Sequence, residues 1–226
     1  MGGSKKGSHV GMVLSFVIFI TFVVFLYAVL EPSLKIGEDR SNELELIKTK
    51  IIDMSSESLI TLTITNSSPK ESNCLKINVS TLVDDGNFIA KNAGENKVNS
   101  EIIGDFLFID WADSNIFKVY ISPEVDEGSG DTFSDCALGS IELVNSRREV
   151  FEEKIKDIFN RDYEELKSSI GLGEDIEFSL MFNDSVKEFS AFEKETSKEV
   201  YAEDNVIRYF DNEANINAGF IRIKVW

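Results

Sequence analysis

Histidine is almost absent from this sequence of 226 residues, which contains only His9. Residues 10–226 therefore lack the imidazole that Ser-His-Asp and Cys-His catalytic arrangements and histidine zinc sites require. Two carboxylates at a suitable separation would be enough for glycoside hydrolysis, but no pair stands out among the 40 acidic residues. We therefore expect a protein that is not an enzyme, with no catalytic residue, no metal site and no cofactor.

Basic residues are also scarce, with 23 Lys and Arg against 40 Asp and Glu and a formal net charge of −17. Setting aside Lys5 and Lys6 leaves 21 basic and 40 acidic residues from Glu31 onward, a formal charge of −19. A surface this acidic repels nucleic acid and anionic lipid headgroups, so we expect no nucleic-acid partner. The acidic residues between Asp126 and Asp135 offer oxygen ligands for Ca²⁺, but their spacing departs from that of an EF-hand. A solvated acidic loop is the alternative that we favour.

Cysteine and proline are the other rare residues. Cys74 and Cys136 are the only cysteines, and without a CxxC motif they give no support to redox catalysis. An even number of cysteines in an oxidising compartment predicts a disulfide, with two unpaired thiols as the alternative. Closing a loop of about 60 residues would stabilise the fold by about 4 kcal/mol on the chain-entropy model. Only three prolines and many short apolar runs argue against a disordered stalk.

One long apolar run stands out against this background. The 21 residues Val10–Leu30 carry no charge, and at about 1.5 Å per residue they form a helix as long as the ~30 Å hydrocarbon core of a bilayer. Two lysines precede the run, so the positive-inside bias predicts residues 1–9 as a cytoplasmic leader and residues 31–226 as extracytoplasmic, at the cell surface. We expect Pro32 to end this transmembrane helix. The run is longer than the apolar part of a secretory signal, and no small-x-small cleavage site follows it.

The residues in front of the run add a more specific indication. Lys5-Lys6-Gly7 before an uninterrupted apolar helix resembles the class III (prepilin-type) signal of archaeal type IV pilin-like proteins, over about residues 4–32. The resemblance implies that a membrane peptidase cuts after Gly7 and leaves Ser8 as the new N-terminus. It also implies a β-rich head and a helix that is first a membrane anchor and then the packed core of a filament. Met12 departs from the pattern, because many pilins carry a glutamate at that position.

Two functions therefore stay open. The resemblance predicts a membrane-anchored surface subunit that assembles through its apolar helix, with membrane lipid, copies of itself and a prepilin-type peptidase as partners. The alternative is a single-pass protein of the same topology that does not polymerise, whose outer domain binds a ligand or a partner.

The rest of the chain predicts an α+β head of mainly antiparallel, sandwich-like β-structure with one long amphipathic helix. Residues 31–54 form a juxtamembrane linker, polar over 33–40, and a helix capped by Ser41. Period-two alternation predicts a β-rich subdomain over 55–145. Its strands are expected at 60–65, 75–80, 88–90, 106–111 and 116–121.

A second subdomain is predicted over 146–226, although the two subdomains can also form one domain. The Ser146–Glu149 segment has the pattern of a capping box, and the apolar stripe behind it predicts a long helix that ends at Gly171. The last strands are expected at 176–182, 199–210 and 219–226. Three Asn-x-Ser patterns for N-glycosylation also fall in the region predicted to lie outside the membrane, at Asn66, Asn78 and Asn183.

Overall fold

A computed structural model of the chain describes residues 8–65, 72–80, 82, 86–110, 114–128, 130, 133–172, 178–182 and 200–225, with the side chains of 8, 9 and 31–40 outside that description. Within these residues, one long helix precedes a head of three sheets and two short helices. In chain order the elements are α1 (Ser8–Met54), β1 (Ser56–Thr65), β2 (Cys74–Asn78), β3 (Asn87–Asn92), β4 (Lys97–Val98), β5 (Ser100–Ile103), β6 (Phe106–Asp110), β7 (Ile116–Ser122), β8 (Ala137–Leu138), β9 (Ser140–Val150), α2 (Glu152–Asn160), α3 (Tyr163–Ile170), β10 (Phe178–Phe182), β11 (Tyr201–Phe210) and β12 (Ile216–Val225).

Helix α1 runs without a break for 47 residues. Residues 41–54 are helical as predicted, but the predicted helix start at Ser41 is wrong, because these residues are the last part of α1. The expected stop at Pro32 and the expected polar connection over 33–40 are wrong. Proline lacks an N–H but its φ angle suits a helix, so an interior proline costs about 3 kcal/mol rather than forbidding the helix. Ordered turns on both sides of Pro32 offset that cost.

Two of the sheets share one apolar core. The five-stranded sheet has the order β4-β3-β7-β1-β9, and the four-stranded sheet has the order β5-β6-β2-β8. The strand pairs are antiparallel except for β2 with β8. Each sheet buries one apolar face against the other sheet. Both faces contribute to a single cluster, which includes Leu62, Phe117 and Val119 from one sheet and Leu75, Leu107 and Ile109 from the other. The five strands predicted between residues 60 and 121 are confirmed.

Strand β9 corrects the sequence prediction at Ser146. Residues 146–149 pair with β1, where Ser146 lies opposite Ile60 and Glu149 lies opposite Glu57. The capping-box pattern is a local signal, and the ladder with β1 satisfies the same backbone groups in a strand instead. The proposed subdomain boundary between 145 and 146 falls inside this strand. Among the described residues no strand pairs with the outer edge of β9, the last strand of its sheet, and this strand exposes Leu143 and Val144.

The long amphipathic helix is also corrected, because two short helices, α2 and α3, take its place. The predicted apolar stripe is nevertheless buried, with Ile155 and Ile158 on α2 and Leu166 and Ile170 on α3. Gly171 ends α3 as predicted. Its φ of 80° lies in the left-handed region that favours glycine, and its N–H donates to the carbonyl oxygens of the last turn.

The last part of α1 packs on the third sheet. Its order is β10-β12-β11, and all of its strand pairs are antiparallel, so the strands predicted in the last third of the chain are confirmed. A second apolar cluster joins this sheet to α1, α2 and α3. Fully buried members of the cluster include Ile47 on α1 and Phe178 on β10. The last turns of α1 are therefore part of the head.

A disulfide links the neighbouring strands β2 and β8 of the four-stranded sheet. Cys74, the first residue of β2, is bonded to Cys136, which directly precedes β8, and their Cα atoms are 4.6 Å apart. The two cysteines are 62 residues apart in sequence. The bond therefore closes a long loop. It lies beside the parallel pairing of β2 with β8, which consists of only two residue pairs.

Replacing both cysteines with serine should lower the free energy of unfolding of the head by about 4 kcal/mol, because the unfolded chain regains the freedom of the closed loop. Urea denaturation followed by circular dichroism measures the difference. Reduction of the unmodified protein is the matched control and should reproduce the loss. Equal stability of the oxidised and reduced protein would contradict the prediction, as would peptide maps in which both thiols are alkylated without reduction.

Candidate membrane-anchoring and assembly helix

The first half of α1 exposes apolar side chains on every face. Val10–Leu30 has a mean hydropathy of 2.9, and none of it is buried against the rest of the protein. Phe16, Phe19 and Phe25 are each about 60% exposed. By length and composition this segment is able to cross a membrane. An apolar surface of this size in water marks a site of contact with lipid or with another protein.

The polar side chain near the middle of this segment has its hydrogen bond within the helix. The Thr21 hydroxyl, Oγ1, lies 3.0 Å from the carbonyl oxygen of Val17 and 2.9 Å from that of Ile18. A hydroxyl that donates its hydrogen bond to a carbonyl oxygen of its own helix does not need water as a partner. Thr21 is therefore compatible with an apolar environment. The segment therefore presents an apolar surface despite this residue.

The second half of α1 packs on the head through one face. Leu44, Ile47 and Ile51 are at most 7% exposed, whereas Leu46 on the opposite side is 42% exposed. The three buried residues contact the cluster formed with the three-stranded sheet and the two short helices. The helix thus changes from apolar on all faces to amphipathic, and the change separates the free part from the docked part.

Polar contacts fix the docked end of α1. The Arg148 guanidinium on β9 donates to Oδ1 of Asp53 at 2.5 Å, to the carbonyl oxygen of Asp53 at 2.8 Å and to that of Ser56 at 2.8 Å. These bonds satisfy a carbonyl at the C-terminus of the helix, where no further turn can do so. The capping-box pattern places Arg148 in a helix, so its role at the end of α1 does not follow from the sequence.

A lysine adds a second contact between α1 and the sheet. Lys48 lies 3.1 Å from Glu45 on its own helix and 3.5 Å from Glu203 on β11. The hydrogen bond that Lys48 donates to Glu45, aided by the charge of Glu203, raises the pKa of Lys48 above its ordinary value. The lysine therefore remains charged at neutral pH and can hold both carboxylates.

The proposed processing signal lies at the margin of the structure. Lys5, Lys6 and Gly7 lie outside the described residues, and Ser8 is the first residue of α1. Met12, at the position where many pilins carry glutamate, is 73% exposed and part of the apolar surface. A cut after Gly7 would therefore leave the described helix intact.

The structure describes one of the three glycosylation patterns and part of the acidic loop. Asn78 is exposed at the end of β2, and its Oδ1 accepts from the N–H and the hydroxyl of Ser80, while Asn66 and Asn183 lie outside the described residues. Asp126 of the acidic loop accepts hydrogen bonds from Nδ2 of Asn212 at 3.1 and 3.2 Å. Among the residues that the structure describes, no three acidic, histidine or cysteine side chains come together to hold a metal ion.

No known protein family, curated protein or solved structure matches this chain.

Proposed function

We propose that this chain is a type IV pilin-like surface subunit that assembles through its apolar N-terminal helix and has no enzymatic activity. The observation that carries the proposal is the division of α1: Val10–Leu30 is apolar and unburied, and the same unbroken helix is anchored in the head from Leu44 onward. Because the helix is unbroken, the position of its apolar half determines the position of the head. The Lys5-Lys6-Gly7 pattern in front of it supports the same assignment.

The proposed topology places the N-terminus in the cytoplasm and the head outside the cell. The disulfide between Cys74 and Cys136 fits an oxidising compartment. The two sheets that share one core fit a sandwich-like head. The acidic surface is then exposed at the cell surface, where it keeps the head soluble.

The mechanism is burial of the apolar helix, first in lipid and then among copies of itself. Lipid tails are as apolar as leucine, so helices associate in a membrane through close packing rather than through the hydrophobic effect. Outside lipid, the same surface would be exposed to water, and burying it between subunits gains about 25 cal/mol per Å². The gain from burying this apolar surface therefore keeps the helix packed against other helices once it leaves the bilayer.

The second candidate function is a single-pass protein that does not polymerise and binds a partner through its head. The observation that favours it is the outer edge of β9, an 11-residue strand that is exposed along most of its length and pairs on that edge with no other described strand. A free edge offers backbone donors and acceptors to an added strand. Leu143 and Val144 would supply apolar contacts to that strand.

Mass spectrometry separates the two functions. In cells that contain a prepilin-type peptidase, we expect the membrane-extracted protein to begin at Ser8 and the sheared surface fraction to contain assemblies. A Gly7→Leu variant should retain its leader and lose the assemblies, whereas Gly11→Ala, four residues further along, should be processed normally. An intact leader on the unmodified protein, with no assemblies in the sheared fraction, would contradict the pilin-like function.

A further inference from the structure

A buried amine lies between two sheets of the head. Lys91 on β3 is 2% exposed. It adjoins an apolar cluster between the five-stranded and three-stranded sheets, which we call the inter-sheet cluster: Leu59, Ile89, Tyr120, Val125, Phe151, Phe210 and Ala214. The ring of Tyr120 is centred 5.7 Å from Nζ of Lys91. A lysine in such a place must find its polar partners within the protein.

Those partners belong to the turn between β11 and β12. Nζ of Lys91 donates to the carbonyl oxygen of Ala214 at 2.8 Å and to Oδ1 of Asn215 at 2.7 Å. Ala214 is itself 2% exposed and has a φ of 55°. A residue in this left-handed conformation is held there by its surroundings. The Lys91 amine therefore meets a carboxamide that cannot easily move away.

A carboxylate holds the other end of the same carboxamide. Oδ2 of Asp211 accepts from Nδ2 of Asn215 at 3.0 Å and from Nδ2 of Asn217 at 3.2 Å. Oδ1 of Asp211 accepts from the backbone N–H groups of Glu213 at 3.0 Å and Asn215 at 2.8 Å. The Asn215 carboxamide thus has a nucleophile at its oxygen side and a proton acceptor at its nitrogen.

The charge states suit a reaction between these groups. Burial lowers the pKa of Lys91, although the charges of Glu95, Asp211 and Glu213 oppose this effect and that of Lys118 adds to it. Burial alone would raise the pKa of Asp211, but its hydrogen bonds, led by those from Asn215, outweigh burial and lower it. The neutral amine is therefore easier to reach than in water, and Asp211 is available as a carboxylate base.

We propose that Lys91 and Asn215 form an intramolecular amide cross-link between their side chains, with Asp211 as the proton-transfer group. The lone pair of the neutral Lys91 amine attacks Cγ of Asn215, and Asp211 accepts a proton from the attacking nitrogen. Asp211 then donates that proton to Nδ2 of Asn215, to which it is already hydrogen-bonded. The bond between Cγ and Nδ2 breaks, and Nδ2 leaves as ammonia.

The reaction balances without an oxidant, a cofactor or a co-reactant. One bond from Cγ of Asn215 to nitrogen replaces another, and nothing is oxidised or reduced. The proton that the Lys91 ammonium gives up leaves with ammonia as ammonium. The product ties β3 of the five-stranded sheet to the β11–β12 turn of the three-stranded sheet, and it forms whether or not the protein assembles into filaments.

Mass spectrometry tests the cross-link on the full-length protein, produced in a bacterial host without N-glycosylation, then reduced and denatured. We expect a mass below that of the sequence by one ammonia, after allowance for loss of Met1. Trypsin cannot cut after an acylated lysine, so peptide 77–97 should appear joined to peptide 209–222. The bond forms in the folded protein, and because it is covalent it survives denaturation for this measurement. Circular dichroism of each variant before denaturation shows that it has folded, so a missing cross-link is not due to misfolding.

Three variants assign the loss to these residues. Lys91→Met should restore the full sequence mass, and Asp211→Ala should leave most molecules unlinked. Asn217→Ala is the matched control, since Asn217 also donates to Asp211 but does not react, and it should keep the cross-link. The proposal is overturned if two separate peptides, one ending at Lys91 and one containing Asn215, are recovered from the unmodified protein. It is also overturned if the loss of ammonia persists in Lys91→Met, which would indicate cyclisation of an asparagine instead.

Discussion

Replacing Val17, Ile20 and Val24 with arginine should move the protein from the membrane fraction to the soluble fraction. The three residues lie on one side of α1 near the middle of the apolar segment, and each is at least 41% exposed. An arginine at the centre of a membrane-spanning helix costs about 3 kcal/mol, so three cost about 9 kcal/mol. Since 1.4 kcal/mol is a tenfold change in an equilibrium, we expect membrane association to fall by several orders of magnitude.

The matched control places leucine at the same three positions, which keeps the segment apolar and should leave the protein in the membrane. Fractionation with an alkaline wash, followed by immunoblotting, measures both variants. The head should keep the same unfolding temperature in all forms, because Val10–Leu30 makes no buried contact with it. Retention of the triple-arginine protein in washed membranes would contradict anchoring by this helix.

Replacing Ile47 with alanine should lower the free energy of unfolding of the head by about 3 kcal/mol. Ile47 is fully buried between α1 and the three-stranded sheet, in the cluster that also holds Ile221 and Ile223 of β12. Removing its side chain beyond Cβ leaves a cavity in the interface through which α1 packs on the head. The cost therefore includes both lost burial and lost contacts.

Leu46 is the neighbouring control on the same helix. It is 42% exposed, so Leu46→Ala should cost less than about 1 kcal/mol. Denaturation of the detergent-solubilised proteins, followed by circular dichroism, compares the two variants directly. Equal small losses would show that α1 does not pack on the head through this face.

Local sequence patterns predicted most of the helices and strands. They failed where contacts between residues that are distant in sequence determine the secondary structure. The strand at 60–65 follows from the alternation of aliphatic and threonine residues, and the strand at 116–121 follows from a short run of β-branched and aromatic residues. Ser146–Glu149 has the pattern of a helix start, yet these residues pair with β1, more than 80 residues earlier in the chain. No window of sequence contains that pairing. At Pro32 the local breaker signal was read correctly but was outweighed by the helix on both sides.

The candidate sites also differ in how far the sequence predicts them. The apolar segment was found from composition alone, since its exposure follows from its length and its lack of any apolar partner segment. Lys91 and Asn215 are 124 residues apart, and no spacing rule connects them. One weak signal was present: Lys91 shares a strand face with the fully buried Ile89, and a lysine on an apolar face must have a polar partner inside the protein.

The uninterrupted course of α1 also sets a distance. From Leu30 to Leu44 the helix advances about 21 Å, at about 1.5 Å per residue. Electrostatic screening at physiological salt acts over about 8 Å. In a bilayer whose hydrocarbon core is spanned by Val10–Leu30, an upright α1 therefore works as a spacer that holds Leu44, where the helix docks on the acidic head, more than two screening lengths from the hydrocarbon boundary. At low ionic strength the screening length grows to about 30 Å, so the membrane field then reaches the head and opposes any tilt of the helix.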